Sequence, residues 1–542
     1  MKKWSVVILL GLAQFVMVLD GTVMNVSIST VVEDLDTTVA AMQAAITFYT
    51  LTMAALMLLG AKLGDVWGRR RAFVIGSCIY ALGSLITALS PNMAFLFLGW
   101  SIIEGLGAVL VIPAIAALIA NNYEGAARVT AYAIIGAVSG AAVAAGPLIG
   151  GFVTTYLSWR YVFAGEVVIM AFVVLFSRVV TDRAGRHPGR IDLVSVLLSS
   201  AGLVCVVFGM LQSKTWGWIR PFQTPEIGGV PVAPLGISLT AWLILLGGVL
   251  LFLFLRRQAS LVSTGRAPLL HVSLFSITQL RSGLAVLGAQ YTITAGLFFM
   301  VPVYLQMTLG LDALQTGLKI FPLSIALILF SIVGTRLSRI WSPRRIVRFG
   351  QAVLVLSSLV LLASIDIELR NGVFAAGMFF AGAALGLLAS QLGNVNMSSV
   401  SEKETSEVGG LQGVFQNLGS SLGTALIGSI LIGALTTSFG AGVATSDLPS
   451  DVQTLVTERT EGGVAIVPAS EVAGIASEAG LTDDEGDELT DIYSESQISS
   501  LRVAFFATTV IALLSVLFSR GIPNVTPPRA GRAPAKPTRR AP

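Results

Sequence analysis

Apolar residues run through this chain in long, nearly unbroken stretches, without the period-two alternation of a half-buried strand or the single stripe of a soluble amphipathic helix. A hydrocarbon core about 30 Å thick takes about 20 apolar helical residues to cross. Fourteen stretches come near or exceed that length, at about 5–26, 42–62, 72–90, 95–118, 128–151, 161–178, 193–212, 237–255, 283–306, 315–337, 347–365, 372–393, 409–435 and 502–520. The pattern predicts an all-α polytopic membrane protein. Composition agrees: 54% of the 542 residues are hydrophobic and 12% are charged, against about 25% charged in an ordinary soluble domain.

Charge orients the spans. Lys2 and Lys3 precede the first stretch as they would a signal peptide, but Asp20 interrupts it and no small-residue cleavage site follows, so it reads as the first membrane helix. Cytoplasmic loops retain Lys and Arg. With both termini cytoplasmic, only Arg160, Lys214, Arg220, Lys319, Arg370, Arg459 and Arg502 of the 34 basic residues fall on the opposite side. The basic, Pro-rich tail over 521–542 reads as a disordered cytoplasmic end near anionic lipid, so the net charge of +4 requires no nucleic-acid partner. The segment 440–500 is the opposite pole, with thirteen Asp or Glu against the single base Arg459. It is expected to be an external, partly helical loop. Cys78 and Cys205 lie inside spans and suggest neither a disulfide framework nor a metal site.

A repeat organises the spans. "GAKLGDVWGRRR", Gly60 to Arg71, and "GTRLSRIWSPRR", Gly334 to Arg345, share Gly, Leu, Trp and the last two Arg in register, and each follows the second helix of a six-helix block. The arrangement is 6+2+6: an N-terminal half over 1–180, a two-helix insert over 181–282 and a C-terminal half over 283–520. Repeated halves with a site between them near the bilayer midplane are the build of a secondary transporter, in which one half rocks against the other. Asp65, with Arg69 four residues on and Arg70 and Arg71 adjacent, is a candidate charge latch of an inner gate; a lone arginine triplet would only fix topology. The second loop, with Arg339, Arg344 and Arg345, has Arg339 where the first has Asp65, so the two are not electrostatically equivalent.

Of thirty acidic residues, only Asp20, Glu104 and Glu166 fall well inside spans. An ionisable group at membrane depth costs about 2.5–3.5 kcal/mol on insertion scales and generally faces a cavity or a partner. The helical rise sets Asp20 roughly 22 Å from the inner end of its helix, Glu104 about 14 Å and Glu166 about 8 Å from the outer ends of theirs. All three can therefore line one cavity open to the outside. Desolvation disfavours the charged form of a carboxyl group, and neighbouring carboxylates disfavour it further, so such a cluster can hold a proton near neutral pH. A substrate that displaces this proton is exported without ATP, and no phosphate-binding G-x-x-x-x-G-K-[ST] is present. Asn25 and Ser101 are the supporting polar residues, Ser101 lying one helical turn from Glu104 on the same face; Asp20 alternatively serves helix packing with Thr22 and Asn25. His187 and His271 read as solvated loop residues.

Gly136, Gly140, Gly146, Gly150 and Gly151, with Pro147, give the fifth helix a smooth, bendable face on which helices of the other half can slide, unless they serve packing alone. In the second half, Gln290, Asn394, Asn396, Gln412, Gln416 and Asn417 offer hydrogen bonds to a substrate or between helices. Tyr49 and Tyr291 read as packing or lipid-facing residues.

Several of these stretches carry a family resemblance. "GAKLGDVWGRRR" resembles the signature between the second and third helices of the major facilitator superfamily. "LDGTVMNVSI" (Leu19 to Ile28), "EGLGAVLVIP" (Glu104 to Pro113) and "GPLIGG" (Gly146 to Gly151) resemble first-, fourth- and fifth-helix motifs of its 14-helix drug:proton antiporters, and "SWRYVF" (Ser158 to Phe163) is similar to their Trp-Arg turn. The chain departs from the family pattern at Ser101, where arginine is usual, at Glu104 in place of glutamine, at Glu166 in place of asparagine and at Ala61 in place of glycine. The resemblance spans about 5–520 apart from the acidic loop, and implies a multi-pass exporter driven by the proton gradient with no cofactor. The expectation is antiport of lipophilic, cationic drugs or toxic compounds across the cytoplasmic membrane by a monomer. The cationic preference rests on three membrane acids set against no deep membrane base. Export of an endogenous metabolite, peptide or lipid is the alternative on the same fold. A membrane enzyme is disfavoured because no His, Cys or Ser cluster with catalytic spacing appears in the loops.

Overall fold

The computed structural model of the chain describes all residues except 1–3, 38, 183–190, 228–229, 402–403, 461–462, 465 and 525–542; His187 and nearly all of the basic tail lie outside the described residues. Among the described residues, fourteen helices are long and apolar enough to cross a membrane. They are α1 (Ser5–Val26), α2 (Val39–Trp67), α3 (Arg69–Ala88), α4 (Met93–Asn122), α5 (Gly125–Tyr156), α6 (Arg160–Phe176), α7 (Leu193–Trp216), α8 (Leu239–Ser263), α9 (Thr278–Pro302), α10 (Ala313–Leu337), α11 (Pro343–Ser364), α12 (Asn371–Met397), α13 (Thr405–Ala444) and α14 (Asp483–Phe518). Strand structure among the described residues is limited to one two-residue antiparallel pair, Glu226 opposite Pro231, in the α7–α8 connection.

Local chemistry sets the helix ends. Gly68 separates α2 from α3 at φ 94°, a left-handed conformation that glycine adopts without steric cost. α10 opens on a capping box of Asp312 and Gln315, and α11 on Ser342 with Pro343 at its first position.

α13 and α14 exceed their predicted spans. They contain 40 and 36 residues, about 60 and 54 Å at the helical rise, so each runs well past a bilayer core. Apolar-run length reports only the lipid-embedded part; beyond it both helices become amphipathic and bury Leu435, Phe439, Val443, Leu489 and Tyr493 against Val452, Val464 and Ala476. With the helices Ser450–Thr460 and Val472–Glu478, the acidic segment is a folded cap with its own core rather than a bare loop.

The first six helices and the last six have separate cores toward the cap end of the bundle, one around Tyr49, Trp100 and Trp159, the other around Tyr304, Phe374 and Phe505. Among the described residues, the largest core they share lies toward the opposite end, where the two arginine loops lie. There Met57, Leu58 and Leu118 join Leu280, Leu284, Val408 and Leu411. Glycines let the backbones close this seam: a methyl group at Gly136 would stand 3.0 Å from the Ala389 carbonyl oxygen, and one at Gly413 2.7 Å from Met57 Cγ.

The insert leans on both blocks. α7 donates from Ser200 Oγ to the Ala55 carbonyl at 2.9 Å, and the α7–α8 connection reaches α13 through Trp218 Nε1 and Ser429 Oγ at 3.2 Å. The hairpin is locked by Arg257, which donates from Nε and Nη2 to the two Asp192 oxygens at 2.6 and 2.7 Å. That guanidinium holds the Asp192 carboxyl well below the usual carboxylate range. α8 turns Leu245, Leu246, Val249, Phe252 and Leu253 outward, as a lipid-facing helix does.

Candidate functional site

The three deep acids meet. Asp20 on α1, Glu104 on α4 and Glu166 on α6 are fully or almost fully buried, and one oxygen from each lies within 4.8 Å of the others. Glycine makes this approach possible. A methyl group at Gly83 of α3 would stand 2.6 Å from the Glu104 nitrogen, and one at Gly107 of α4 would stand 2.5 Å from that of Tyr80, so α3 and α4 pack backbone to backbone beside the acids.

The acids differ in their bonding. Trp100 Nε1 donates to both Asp20 oxygens, at 2.8 and 3.0 Å. Glu166 Oε2 accepts from Ser84 Oγ at 3.3 Å. Among the described residues, both oxygens of Glu104 and the second of Glu166 are buried with no hydrogen-bond partner. Tyr49 stacks flat on Trp100, ring centroids 5.0 Å apart, and the hydroxyls of Tyr49 and Tyr80 are also buried without a partner. A buried cluster of three carboxyl groups can exchange protons; its spacing also admits a hard cation among oxygen ligands.

Trp100, Tyr80 and Ser84 are not among the residues the sequence marks, and Tyr49 reads there as a packing or lipid-facing residue. Trp100 stands four positions before Glu104, which is a helical signal, but the segment Phe97–Glu104 is a π-helix. Its i→i+5 bonds wind the chain less per residue than an α-helix, so residues three apart no longer share a face. Ser101, expected beside Glu104, instead donates to the Ala45 carbonyl at 2.8 Å. The side chains of Asn25 and Pro147 lie outside the described part.

The glycines of α5 divide between two neighbours. Gly136 and Gly140 face Ala389 and Leu327 of the last block, whereas Gly146 and Gly150 face Thr22 and Val23 of α1; Gly151 is buried. Only the first pair lies on the seam between blocks.

The two arginine loops tie down equivalent places. In the first, Arg69 is buried and donates to Asn121 Oδ1 at 3.1 Å, with Asp65 at 3.5 Å, while the Arg70 backbone N–H donates to Asp182 Oδ2 at 3.2 Å, just past α6. In the second, the Arg344 backbone N–H donates to the Pro523 carbonyl at 3.2 Å, just past α14. Arg344 Nε and Nη2 add bonds to the Ile522 and Arg520 carbonyls at 2.6 and 2.7 Å. Arg339 and Arg345 are exposed. These bonds stay within each block; what meets across the seam nearby is α13. Glu407 there accepts from the His271 backbone N–H at 2.9 Å and lies 2.8 Å from that ring's Nδ1, so His271 is engaged rather than simply solvated.

Fourteen membrane-length helices, a repeated loop that anchors the last helix of each six-helix block, an acid cluster buried inside the first block and a glycine-lined seam between the blocks define a secondary-transporter architecture. The chain belongs to the Major Facilitator Superfamily, whose family model matches residues 10–424. It is 28% identical over 533 residues to the tetracenomycin C resistance and export protein of Streptomyces glaucescens, covering 96% of this chain and 92% of that one. It is 26% identical over 515 residues to multidrug resistance protein Stp of Mycobacterium tuberculosis, covering 94% and 90%. The crystal structure of the human organic anion transporter MFSD10 (TETRAN) matches with a TM-score of 0.58 at 12% identity, covering 96% of this chain and 99% of that one, a likeness of fold alone.

Proposed function

We propose that this chain is a proton-coupled exporter that moves lipophilic compounds, cations by preference, outward across the cytoplasmic membrane, with both termini and both arginine loops inside. The observation that carries this reading is the buried cluster of Asp20, Glu104 and Glu166. Ionised carboxylates buried without donors are costly, so the cluster holds protons in the present conformer. Asp20 has an indole donor and is the acid best equipped to carry charge when a proton leaves. The seam closed at the arginine-loop end makes this a state shut toward the cytoplasm. Opening there admits cargo, the cargo displaces protons, and protons return from outside. Resistance to and export of tetracenomycin C, and multidrug resistance, in the named relatives support a drug or toxic compound as cargo. The tetracenomycin C relative also favours a second reading, export of an endogenous metabolite by the same cycle.

The test uses inverted vesicles with an acidic lumen. Lipophilic cations should alkalinise the lumen, and Asp20→Asn should abolish the response. Alkalinisation by tetracenomycin C but by no cation would favour the second reading. No proton movement with either, in protein shown to be folded, would remove proton coupling.

A further inference from the structure

A cavity of about 750 Å³ opens at the arginine-loop end of the first block, between the α2–α3 loop and the end of α6. Three guanidinium groups line it, those of Arg70, Arg71 and Arg178. Among the described residues none of the three side chains is in an ion pair. The one acid in the wall, Asp182, spends an oxygen on the Arg70 backbone N–H. Three cations therefore stand against one carboxylate. Apart from Ser177, the rest of the lining is apolar, with Trp67, Val74 and Leu175.

The approach to this cavity is also apolar. On α6, Val168, Phe172 and Leu175 are all exposed, and their spacing of four and three places them on one face of the helix; Val179, in the 3-10 turn Ser177–Val179 that follows, is exposed as well. This stripe ends at the arginines. In a membrane-spanning helix such a stripe faces acyl chains, and the arginines mark the depth of the headgroups. From this juxtaposition we infer that the cavity binds an anionic phospholipid, its phosphate among Arg70, Arg71 and Arg178 and its acyl chain along α6. The α2–α3 loop and the end of α6 form its two walls, so a bound lipid bridges the same two elements that the Arg70–Asp182 hydrogen bond joins.

A phosphate group could come from a lipid or from free phosphate, and the test separates them. The purified full-length chain is exchanged into micelles holding phosphatidylglycerol and phosphatidylcholine with the same acyl chains, and retained lipid is counted by native mass spectrometry. Phosphatidylglycerol should be retained in preference. Arg71→Gln and Arg178→Gln should each cut that preference about fivefold, the value of one basic residue near an anionic surface. Arg345→Gln, the exposed register-equivalent of Arg71 in the second loop, should leave it unchanged. Equal loss in Arg345→Gln would make the effect a general surface charge and overturn the site. Displacement of phosphatidylglycerol by millimolar inorganic phosphate would assign the cavity to a free anion, and absence of any preference in the unaltered chain would overturn the inference outright.

Discussion

At membrane depth, the first six helices and the last six bury different kinds of polarity. The first block hides Asp20, Glu104 and Glu166, which among them leave three oxygens unbonded. The last block hides amides. Gln351 donates to the Ser515 carbonyl at 2.8 Å and Gln391 to that of Gly334 at 3.2 Å. A bonded amide joins one helix to another and cannot exchange a proton at physiological pH; an unbonded carboxyl group does little for packing and can. One architecture repeated twice has thus been filled with groups that change charge on one side and groups that hold shape on the other. On the proposed reading, transport depends on the first set and stability on the second.

The largest effect should come from the acids. Asp20→Asn and Glu104→Gln keep side-chain shape, so folded yield and thermal midpoint should stay near those of the unaltered chain while substrate-driven proton movement in inverted vesicles falls to background. Retention of coupled transport in both variants would break the comparison at once.

Glycine substitutions sharpen it at the next level. A methyl group at Gly382 would run into the Leu323 carbonyl inside the last block, and overpacking of this kind costs about 1–3 kcal/mol. At Gly136 it would stand 3.0 Å from the Ala389 carbonyl oxygen, across a seam that can part. Gly382→Ala should lower the thermal midpoint, whereas Gly136→Ala should leave it nearly unchanged and alter the transport rate instead. The buried amide comes next. Gln351→Leu strands the Ser515 carbonyl and should cost about 1 kcal/mol or somewhat more, seen in the same thermal measurement, with transport per folded molecule preserved.

Much of this was legible in one dimension. Apolar-run length depends on bilayer thickness alone, so all fourteen spans could be placed before any packing was known. Charge at membrane depth is rare enough that Asp20, Glu104 and Glu166 stood out, and helical rise put all three where they could line one cavity. That they meet in a buried cluster rather than a cavity open to the outside, and that Trp100 donates to Asp20, depend on how α1, α4 and α6 pack and on a π-helix that shifts register within α4, and neither leaves a mark in local spacing. The cap was hidden for a related reason. Its core of Leu435, Phe439, Leu489 and Tyr493 comes from two distant helices, while its composition is dominated by the acids that face water. Register did predict that Arg70 and Arg344 are equivalent, but not which atoms each would use.

That last difference yields the smallest prediction. Both loops hold the chain just past the final helix of their block, yet Arg70 does so through its backbone N–H, and Arg344 adds two guanidinium bonds to carbonyls. Truncating Arg70 leaves its donor in place, so Arg70→Ala should shift stability by no more than about 0.5 kcal/mol. Arg344→Ala removes two bonds from a charged donor, each worth about 1.5–3 kcal/mol when well buried. At a partly exposed site solvent reduces that, and a loss of about 1 kcal/mol is expected, together with faster proteolysis after Arg520. Asp182→Ala is the matching change in the first loop, because there the acceptor side chain rather than the arginine makes the tie. If Arg70→Ala destabilised as much as Arg344→Ala, both loops would be held by charge, and the asymmetry between the blocks would stop at the buried acids.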